Sequence, residues 1–313
     1  MSARFSIIIP MYNAKDFIAK ALSSCINQSF DNIEIIVVDD KSTDESVSIV
    51  KELMQKDIRI KLFYNETNLG TFATRNKGVL SASGEYLLFL DADDALSVQI
   101  CERLNGLLKH YKESMGENIA ILAFNYCIQN DKDKSERILY NTNHLFCVKE
   151  FILSIAKEGI ANHWSLWNKT FLRTAYIKSL QGLDLSKRLV IAEDALNFIV
   201  FLLQTQHYAT ISDTLYLYKQ NKNSITQRKD EVKSMLSIEN HSYVISTILN
   251  LSLSNFQRYM AEIFCVELRI CILNEKRKLR KSFLNYFITS LCKKIQRIKQ
   301  KYYLFLLSSS LKR

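Results

Sequence analysis

The sequence has few of the residues that interrupt regular structure, with one proline and seven glycines among 313 residues. This scarcity argues against long irregular loops and favours helices joined by short connections. No apolar run approaches the roughly 20 residues that a membrane-spanning helix needs. The first ten residues contain a short apolar strand rather than the apolar core of a signal peptide. Together with 48% hydrophobic residues, these features predict a globular chain with a substantial core.

Several common motifs are also missing. The seven cysteines are odd in number and show no C-x-x-C spacing, which excludes the usual zinc motifs and gives no disulfide framework. Reduced thiols in a cytosolic protein are the economical interpretation. No G-x-G-x-x-G sequence follows a strand, which argues against NAD or FAD, and no Walker phosphate-binding loop is present.

Negative charge is absent from residues 276–313, which contain twelve lysines and arginines. Because the whole chain holds 42 basic and 32 acidic residues, the remainder is close to neutral. Nucleic-acid-binding domains carry their basic surface on the folded body, so no nucleic-acid partner is expected. Basic residues interleaved with apolar ones are typical of helices on anionic membranes. The alternative is a helical lid docked on the body with a solvated basic face.

Apolar segments alternate with amphipathic ones through the first half of the chain. Strands are predicted at 5–9, 33–38, 60–64 and 86–90, and helices at 14–27, after Asp44 and around Arg75. This rhythm predicts an α/β fold with a doubly wound, mainly parallel sheet flanked by helices. Further along, we predict a strand at 119–126, a solvated turn at 130–137, a helix at 148–156 and helices from 231 to 274.

Polar residues follow three of these strands. They are Tyr12 and Asn13 after the first strand, Asp39 and Asp40 after the second, and Asp91 and Asp93 after the fourth. Because parallel strands end at one edge of a sheet, we expect a single ligand site there. Carboxylates one residue apart supply hard oxygens that suit Mg²⁺ or Mn²⁺, and such an ion can bridge a diphosphate. Two structural interpretations remain open: Asp39 and Asp40 can be a pair that caps a helix, and Asp91 and Asp93 can belong to an acidic surface loop.

Four segments carry a resemblance to a known family. They are Ser-Ile-Ile-Ile-Pro-Met-Tyr-Asn at 6–13, Glu-Ile-Ile-Val-Val-Asp-Asp-Lys-Ser-Thr-Asp at 34–44, Asn-Leu-Gly-Thr-Phe-Ala-Thr-Arg-Asn at 68–76 and Phe-Leu-Asp-Ala-Asp-Asp at 89–94. In this order they resemble family 2 glycosyltransferases over about residues 5–226. That family has the GT-A fold, a Rossmann-like fold of nucleotide-diphospho-sugar transferases, and transfers sugars with inversion. Within it, residues 24–28, 68–76 and the segment around Trp167 most resemble bacterial lipooligosaccharide β-1,3-galactosyltransferases.

The resemblance implies a role for eleven positions. Asp194 is implied as the general base and Asp93 as a ligand of Mn²⁺ or Mg²⁺. The implied donor contacts are Pro10, Tyr12, Asp40, Arg75 and Asp91, with Tyr12 and Asp40 on uracil, Asp91 on ribose and Arg75 supporting the metal-binding loop. The implied acceptor contacts are Trp164, Trp167, Lys169 and Glu193. Asp94 is interpreted as a bystander or a helix cap.

Some of these positions have structural interpretations as well. Glu193 and Asp194 open a predicted helix, where the macrodipole favours acidic residues. Trp164 can belong to the core, and His163 is interpreted as a buried imidazole with satisfied hydrogen bonds. Lys219 stands where the family commonly has arginine, and it keeps the charge without the two-pronged geometry.

The predicted organisation is a catalytic domain at 1–226, a helical extension at 227–275 and a basic amphipathic membrane-associating tail at 276–313. The predicted function is transfer of a hexose, with galactose favoured, from a UDP-sugar to a hydroxyl of lipooligosaccharide or another lipid-linked glycan. The expected location is the inner face of a bacterial cytoplasmic membrane. Transfer of glucose or an N-acetylhexosamine is the alternative within the family.

Two other classes of protein compete with this interpretation. A phosphatase of the haloacid dehalogenase type also places Asp-x-Asp after an apolar strand, with Asp91 as nucleophile and Asp93 as general acid. That interpretation leaves the remaining motifs without roles, and no Gly-Thr follows the Asp-x-Asp. The other is a nucleotide-sugar-binding membrane protein without catalysis, and retention of both Asp93 and Asp194 argues against it.

Overall fold

The computed structural model describes residues 3–129, 134–220, 230–279 and 283–309, without the side chains at 157–158 and 283–287. The chain forms two compact units that alternate along the sequence. The first comprises Met1–Phe146, Leu166–Arg188 and Thr205–Asn221, and the second comprises Cys147–Ser165, Leu189–Gln204 and Lys222–Arg313. The sequence predicted three consecutive segments that meet at 226 and at 275. This division stays a prediction, and its first boundary lies outside the described residues.

Within the described residues, a ten-stranded mixed sheet dominates the first unit. Its strands are β1 (Phe5–Met11), β2 (Ile33–Asp39), β3 (Ile60–Tyr64), β4 (Tyr86–Phe89), β5 (Ala95–Leu96), β6 (Ile121–Gln129), β7 (Lys134–Arg137), β8 (His144–Cys147), β9 (Lys169–Leu172) and β10 (His207–Lys219). The strand order is β3-β2-β1-β4-β9-β6-β10-β5, with β7 on β6 and β8 on β10.

The helices follow the same chain order. They are α1 (Ile18–Ile26), α2 (Ser46–Met54), α3 (Gly70–Ser81), α4 (Ile100–Met115), α5 (Val148–Glu158), α6 (Arg173–Ser179), α7 (Glu193–Leu202), α8 (Glu231–Leu249), α9 (Asn255–Leu279) and α10 (Phe283–Ser309), with a 3₁₀ turn at Ile160–His163. Among the described helices, none is long and apolar enough to cross a membrane.

The first half of the sheet confirms the predicted βαβ rhythm. Strands β3, β2, β1 and β4 are parallel neighbours, and α1, α2 and α3 connect them. Every residue of β2 and β4 is buried, as expected for parallel strands covered by helices on both faces. The prediction of an α/β fold with a mainly parallel sheet is therefore correct.

The second half of the sheet contains strands that the sequence did not predict. Strand β9 lies antiparallel between β4 and β6, and β7 pairs antiparallel with β6. The predicted solvated turn is therefore wrong for 134–137, while 130–133 lie outside the described residues. Every residue of strand β7 is exposed, and polar edge strands lack the apolar alternation that identifies buried ones.

The second unit is helical, as predicted for 231–274. Asp230 immediately precedes helix α8. Its carboxylate accepts the Lys233 N–H at 2.7 Å and so caps the helix. Helix α9 packs against α8 and α10 and buries the face that carries Ile263, Phe264 and Val266. The prediction that 231–274 is helical is correct. The structure divides this region into α8 and α9, which residues 250–254 separate.

The buried carboxylate of Glu34 connects β2 to its neighbours near the amino-terminal end of the strand. Oε1 of Glu34 accepts from Ser6 Oγ at 2.6 Å, from the N–H and Oγ of Ser83 at 2.6 and 2.9 Å, and from Gly84 N–H at 3.0 Å. Oε2 accepts from Lys61 Nζ at 2.6 Å. A Cβ on Gly84 would come within 2.5 Å of Ser6 Oγ, so only glycine permits this approach.

Glu34→Gln should destabilise the fold, and the effect should shrink in acid. Burial raises the pKa of Glu34, but hydrogen bonds from Lys61, Ser6 and Ser83 outweigh it and lower the pKa from 4.5 to about 2. That difference contributes about 3 kcal/mol. The contribution is complete above about pH 4.5 and is lost as the pH falls towards 2. We expect urea unfolding to show a loss of about 3 kcal/mol at pH 7 and most of it gone at pH 3.

The matched control is Glu52→Gln, because Glu52 is an exposed residue of α2 that pairs with Lys56 just after the helix. Solvent screens such surface pairs, so they contribute little to stability. An equal destabilisation by Glu34→Gln at both pH values would contradict the assigned role of the charge.

Candidate active site

The three polar groups predicted to meet do lie at one edge of the sheet. Strands β2, β1 and β4 are adjacent and parallel, so their carboxyl ends share that edge. The backbone extends the pairing past the strands, because Asp40 N–H donates to Met11 O at 2.8 Å and Leu90 N–H to Ile8 O at 3.0 Å. The structure therefore confirms the shared edge on which the predicted site depends.

Tyr12 presents its ring to solvent at this edge, with 51% of the residue exposed, and Pro10 precedes it in β1, half-buried. Asn13 has a positive φ of 46°. Its Oδ1 accepts from Thr43 N–H at 2.8 Å, and its own N–H donates to Ser42 Oγ at 2.9 Å. The loops after β1 and β2 are thus held together, and an accessible aromatic face stands beside them.

Asp40 is a buried structural carboxylate. It accepts from Leu69 N–H, Gly70 N–H and Asn65 Nδ2, each at 2.8 Å. The N–H groups of Leu69 and Gly70 stand at the N-terminus of α3, where a carboxylate satisfies free donors and the macrodipole favours it. Gly70 has a φ of 83°, a conformation that glycine adopts without strain. The helix-capping interpretation therefore holds for Asp40 alone, which caps the distant helix α3, whereas Asp39 accepts from the nearby Ser42 N–H. The role of Asp40 at uracil stays a prediction.

Arg75 is a buried residue that contacts the Asp-x-Asp loop. It lies on α3, is 2% exposed, and places Nη2 3.1 Å from Asp91 Oδ1. Its guanidinium carbon also lies 5.7 Å from the centre of the Phe89 ring. The Asp91 side chain is 32% exposed, and Asp93 is half-buried. The buried arginine therefore orients Asp91 and offsets part of the negative charge of the loop.

Asp94 is neither a bystander nor a helix cap, which corrects the interpretation from sequence. It is 2% exposed and accepts from Tyr216 Oη at 2.7 Å and Lys219 N–H at 2.6 Å. The same Tyr216 oxygen accepts from Asp91 N–H at 3.2 Å. Burial, followed by the charge of Asp91, raises the pKa of Asp94 to about 8. Asp94 therefore joins the Asp-x-Asp loop to β10.

Sequence reasoning missed Tyr216 because it alternates with leucines in an apolar strand and resembles an ordinary core residue. It is fully buried, and its hydroxyl connects the Asp94 carboxylate with the N–H of Asp91. The available signal was that this strand belongs to the segment that resembles the family. Within that segment, the sequence analysis considered Lys219 rather than Tyr216. The ammonium of Lys219 lies 4.8 Å over the ring of Phe17.

Tyr216→Phe should loosen the Asp-x-Asp loop. The change leaves the buried Asp94 carboxylate without its hydroxyl donor, which typically costs about 1 to 3 kcal/mol of unfolding free energy. We expect that loss in urea unfolding. Tyr218→Phe is the matched control, since Tyr218 lies two residues further on the same face of β10 and stacks on Trp167 through its ring. Equal losses in both variants would contradict the assigned role.

Trp167 and Lys169 belong to the first unit and lie close in sequence. Trp167 is half-buried and stacks on Tyr216 and Tyr218, with ring centres 4.7 and 5.7 Å apart. Lys169 is 0% exposed, and its Nζ donates to Asn168 Oδ1 at 2.7 Å. Trp167 keeps surface for an acceptor, whereas Lys169 has none in this structure, so a direct acceptor contact by Lys169 would require its surroundings to move.

The other predicted residues belong to the second unit. Glu193 and Asp194 form the first turn of α7 and are half-buried, as is Trp164. Ala192 precedes them with a φ of 63°, a conformation that costs non-glycine residues energy and that clusters at functional sites. His163 is 1% exposed and packs edge-on against Phe151, in agreement with a buried imidazole. Residues 221–229 lie outside the described residues.

The Asp-x-Asp loop has the chemistry of a partial metal site. Within the part of the chain that the structure describes, no group of three or more histidines, cysteines, aspartates or glutamates is placed to hold a metal ion. Mg²⁺ typically takes one or two protein carboxylates and completes its shell with substrate phosphates and water. The partly exposed Asp91 and Asp93 fit that arrangement.

Comparison with known proteins identifies the family. The sequence profile described as Glycosyl transferase family 2 matches residues 6–164, about half of the chain, and the chain belongs to that family. It is 27% identical to glycosyltransferase GlyG of Streptococcus pneumoniae over 72% of this chain and 73% of that protein. An uncharacterised Haemophilus influenzae glycosyltransferase is 45% identical over 34% of this chain, and the match spans 43% of that relative.

Two further comparisons bear on fold and chemistry. A Campylobacter jejuni GalNAc(5)-diNAcBac-PP-undecaprenol β-1,3-glucosyltransferase is 36% identical over 42% of this chain and 41% of its own length. The crystal structure of Staphylococcus aureus TarS residues 1–349 in complex with UDP-GlcNAc matches with a TM-score of 0.67 at 18% identity, over 99% of this chain and 91% of that one. This structural likeness shows the GT-A fold and confirms the fold prediction.

Proposed function

We propose that this family 2 glycosyltransferase moves a hexose from a UDP-sugar to a hydroxyl of a glycan acceptor, with inversion at the anomeric carbon. The observation that carries the proposal is the shared edge in the first unit. It brings the exposed Tyr12 ring, the end of β2 and the partly exposed carboxylates of Asp91 and Asp93 to neighbouring strand ends. The structural neighbour TarS in complex with UDP-GlcNAc supports a uridine nucleotide as the donor's leaving group.

On the donor side, Tyr12 stacks on uracil and Asp40 accepts the N3–H, with Pro10 beside them. Asp91 accepts a ribose hydroxyl and is oriented by Arg75. Asp93, with support from Asp91, would hold Mn²⁺ or Mg²⁺. When bound, such an ion offsets the negative charge that grows on the departing diphosphate. Holding the nucleotide at several points fixes the sugar in an orientation suited to attack.

The transfer itself is a direct displacement. Asp194 takes the proton of the acceptor hydroxyl, and the oxygen forms a bond to the anomeric carbon on the face opposite the phosphate. The bond from that carbon to the phosphate oxygen breaks, and UDP leaves with the electron pair. General-base assistance of this kind contributes about 10²- to 10⁴-fold in rate. We assign the acceptor to the neighbourhoods of Trp164, Trp167, Lys169 and Glu193.

The proposed identities of the sugar and the acceptor are based on similarity to known glycosyltransferases. Galactose and lipooligosaccharide follow from the family resemblance of residues 24–28, 68–76 and the segment around Trp167. Glucose is the second candidate, because the Campylobacter relative carries the name of a β-1,3-glucosyltransferase whose acceptor is an undecaprenol-linked glycan. Both candidates agree on a lipid-linked glycan as the acceptor class.

A donor screen tests the proposal. UDP release is measured with UDP-galactose, UDP-glucose, UDP-GalNAc and UDP-GlcNAc, in Mn²⁺ and in EDTA, with p-nitrophenyl phosphate as a parallel substrate. We expect UDP from one UDP-sugar well above the others and no phosphate from the phenyl ester. Phosphoester hydrolysis alone would support the phosphatase, and binding of UDP-sugars without any UDP release would support the non-catalytic protein.

A further inference from the structure

Helix α10 carries apolar residues on an exposed face. Six of them recur at spacings of three and four residues, which places them along one side of the helix. They are Ile288, Leu291, Ile295, Ile298, Tyr302 and Phe305, and they are 47, 50, 46, 66, 58 and 66% exposed. We call these six residues the α10 stripe. At about 1.5 Å per residue the stripe is roughly 25 Å long, and a continuous apolar surface of this kind marks an interaction site.

The opposite face of α10 is already occupied. Thr289, Gln300 and Leu307 are at most 8% exposed, and Gln300 donates to Glu267 of α9 at 2.8 Å. Arg297 also pairs with Glu267, and Lys149 of α5 donates to Ser308 O at 3.1 Å. The helix is therefore fixed within the second unit by one face, and the stripe faces away from that packing.

Lysines border the stripe on both sides. Helical spacing places Lys294 and Lys301 along one border and Lys299 along the other, and all three are exposed. The sequence from 276 to 313 offers no aspartate or glutamate to neutralise them. This charge distribution discriminates between possible occupants of the stripe. A second copy of α10 would bring like charges together, whereas an anionic bilayer attracts each lysine.

We propose that the α10 stripe inserts into the headgroup region of an anionic lipid bilayer, with α10 lying in the plane of the surface. The stripe supplies the apolar face and the bordering lysines supply the charged rim, which is the pattern of a helix bound at a membrane interface. The proposal stands on this surface alone and does not depend on the proposed transfer reaction. It identifies the face of the basic tail that contacts lipid.

The test is co-sedimentation of the full-length protein with vesicles. Phosphatidylcholine vesicles are compared with vesicles containing phosphatidylglycerol, at low and high salt. We expect binding to the anionic vesicles at low salt and much weaker binding to neutral ones. Lys294→Gln with Lys301→Gln should weaken binding about 30-fold at low salt, and high salt should remove most of this difference. Lys109→Gln with Lys112→Gln, two exposed lysines of α4, is the matched control and should bind as the wild type does.

A second variant isolates the apolar contribution. Ile298→Ser with Phe305→Ser should weaken binding about tenfold or more at either salt concentration. Ile58→Ser with Val232→Ser replaces apolar residues of equal or greater exposure elsewhere and should have no effect. Thermal unfolding confirms that each variant is folded, which is expected because the substituted side chains are exposed.

Three results would overturn the proposal. The first is equal binding to neutral and anionic vesicles at low salt, and the second is unchanged binding by folded stripe variants. The third is self-association in the absence of lipid that the Ile298→Ser and Phe305→Ser changes abolish, since that would identify a second copy of the chain as the occupant.

Discussion

Asp194→Asn is expected to lower the rate of sugar transfer by about 10²- to 10⁴-fold and to leave the affinity for UDP unchanged. The amide keeps the size of the side chain but cannot accept the proton of the acceptor hydroxyl. The proposed base acts on the acceptor and touches no part of the nucleotide, so binding and rate should separate. Transfer is measured by UDP release in the presence of acceptor, and UDP affinity by calorimetry.

The matched control is Glu231→Gln, which removes a carboxylate from the first turn of α8. Loss of favourable interaction with the helix dipole is common to both variants and is worth about 0.3 to 1 kcal/mol. Only Asp194→Asn should change the rate of transfer. A fall in UDP affinity in that variant would indicate that Asp194 belongs to the donor site. An unchanged rate of transfer would show that Asp194 is not the general base.

Asp93→Asn should lower transfer by at least about 10²-fold, the usual scale for losing one group that stabilises charge in a transition state. The asparagine loses the anionic oxygen that suits Mn²⁺ or Mg²⁺, so the loss should persist at high metal concentration. EDTA should reproduce it in the wild type, and added Mn²⁺ should restore activity only there. The half-buried position of Asp93 predicts a small change in thermal unfolding.

Asp31→Asn is the control for this variant, because the Asp31 side chain is fully exposed and lies outside the proposed site. It should retain full activity. Full activity of the wild type in EDTA would contradict the assignment of Asp93 to a metal, while loss of activity in Asp93→Asn under the same conditions would still place that carboxylate in the reaction.

The first half of the fold was predictable because its signals are local. Each strand from β1 to β4 is a short apolar run, and the polar residues that follow can be read from neighbouring positions. Strand β9 was not predictable in the same way, since its four residues gain their structure from β4 and β6 on either side. Strand β7 is polar and exposed, so its pairing with β6 leaves no apolar pattern.

The candidate site shows the same division. The shared edge of Tyr12, Asp40 and Asp91 follows from strand order, and the sequence predicted it. The partners of those residues are distant in sequence. Asp40 caps α3 through Leu69 and Gly70, and Asp94 meets Tyr216 across 122 positions. The heptad-like apolar spacing of α10 is visible in the sequence, but only packing reveals which of its faces remains exposed.

The most direct test of the central claim is the configuration of the sugar released from the donor identified by UDP release. With water as acceptor, NMR can identify the first anomer formed before mutarotation mixes the two forms. Direct displacement on an α-linked UDP-sugar predicts that the β-anomer appears first, together with one UDP for each sugar. First appearance of the α-anomer would contradict the single displacement and the role of Asp194 within it.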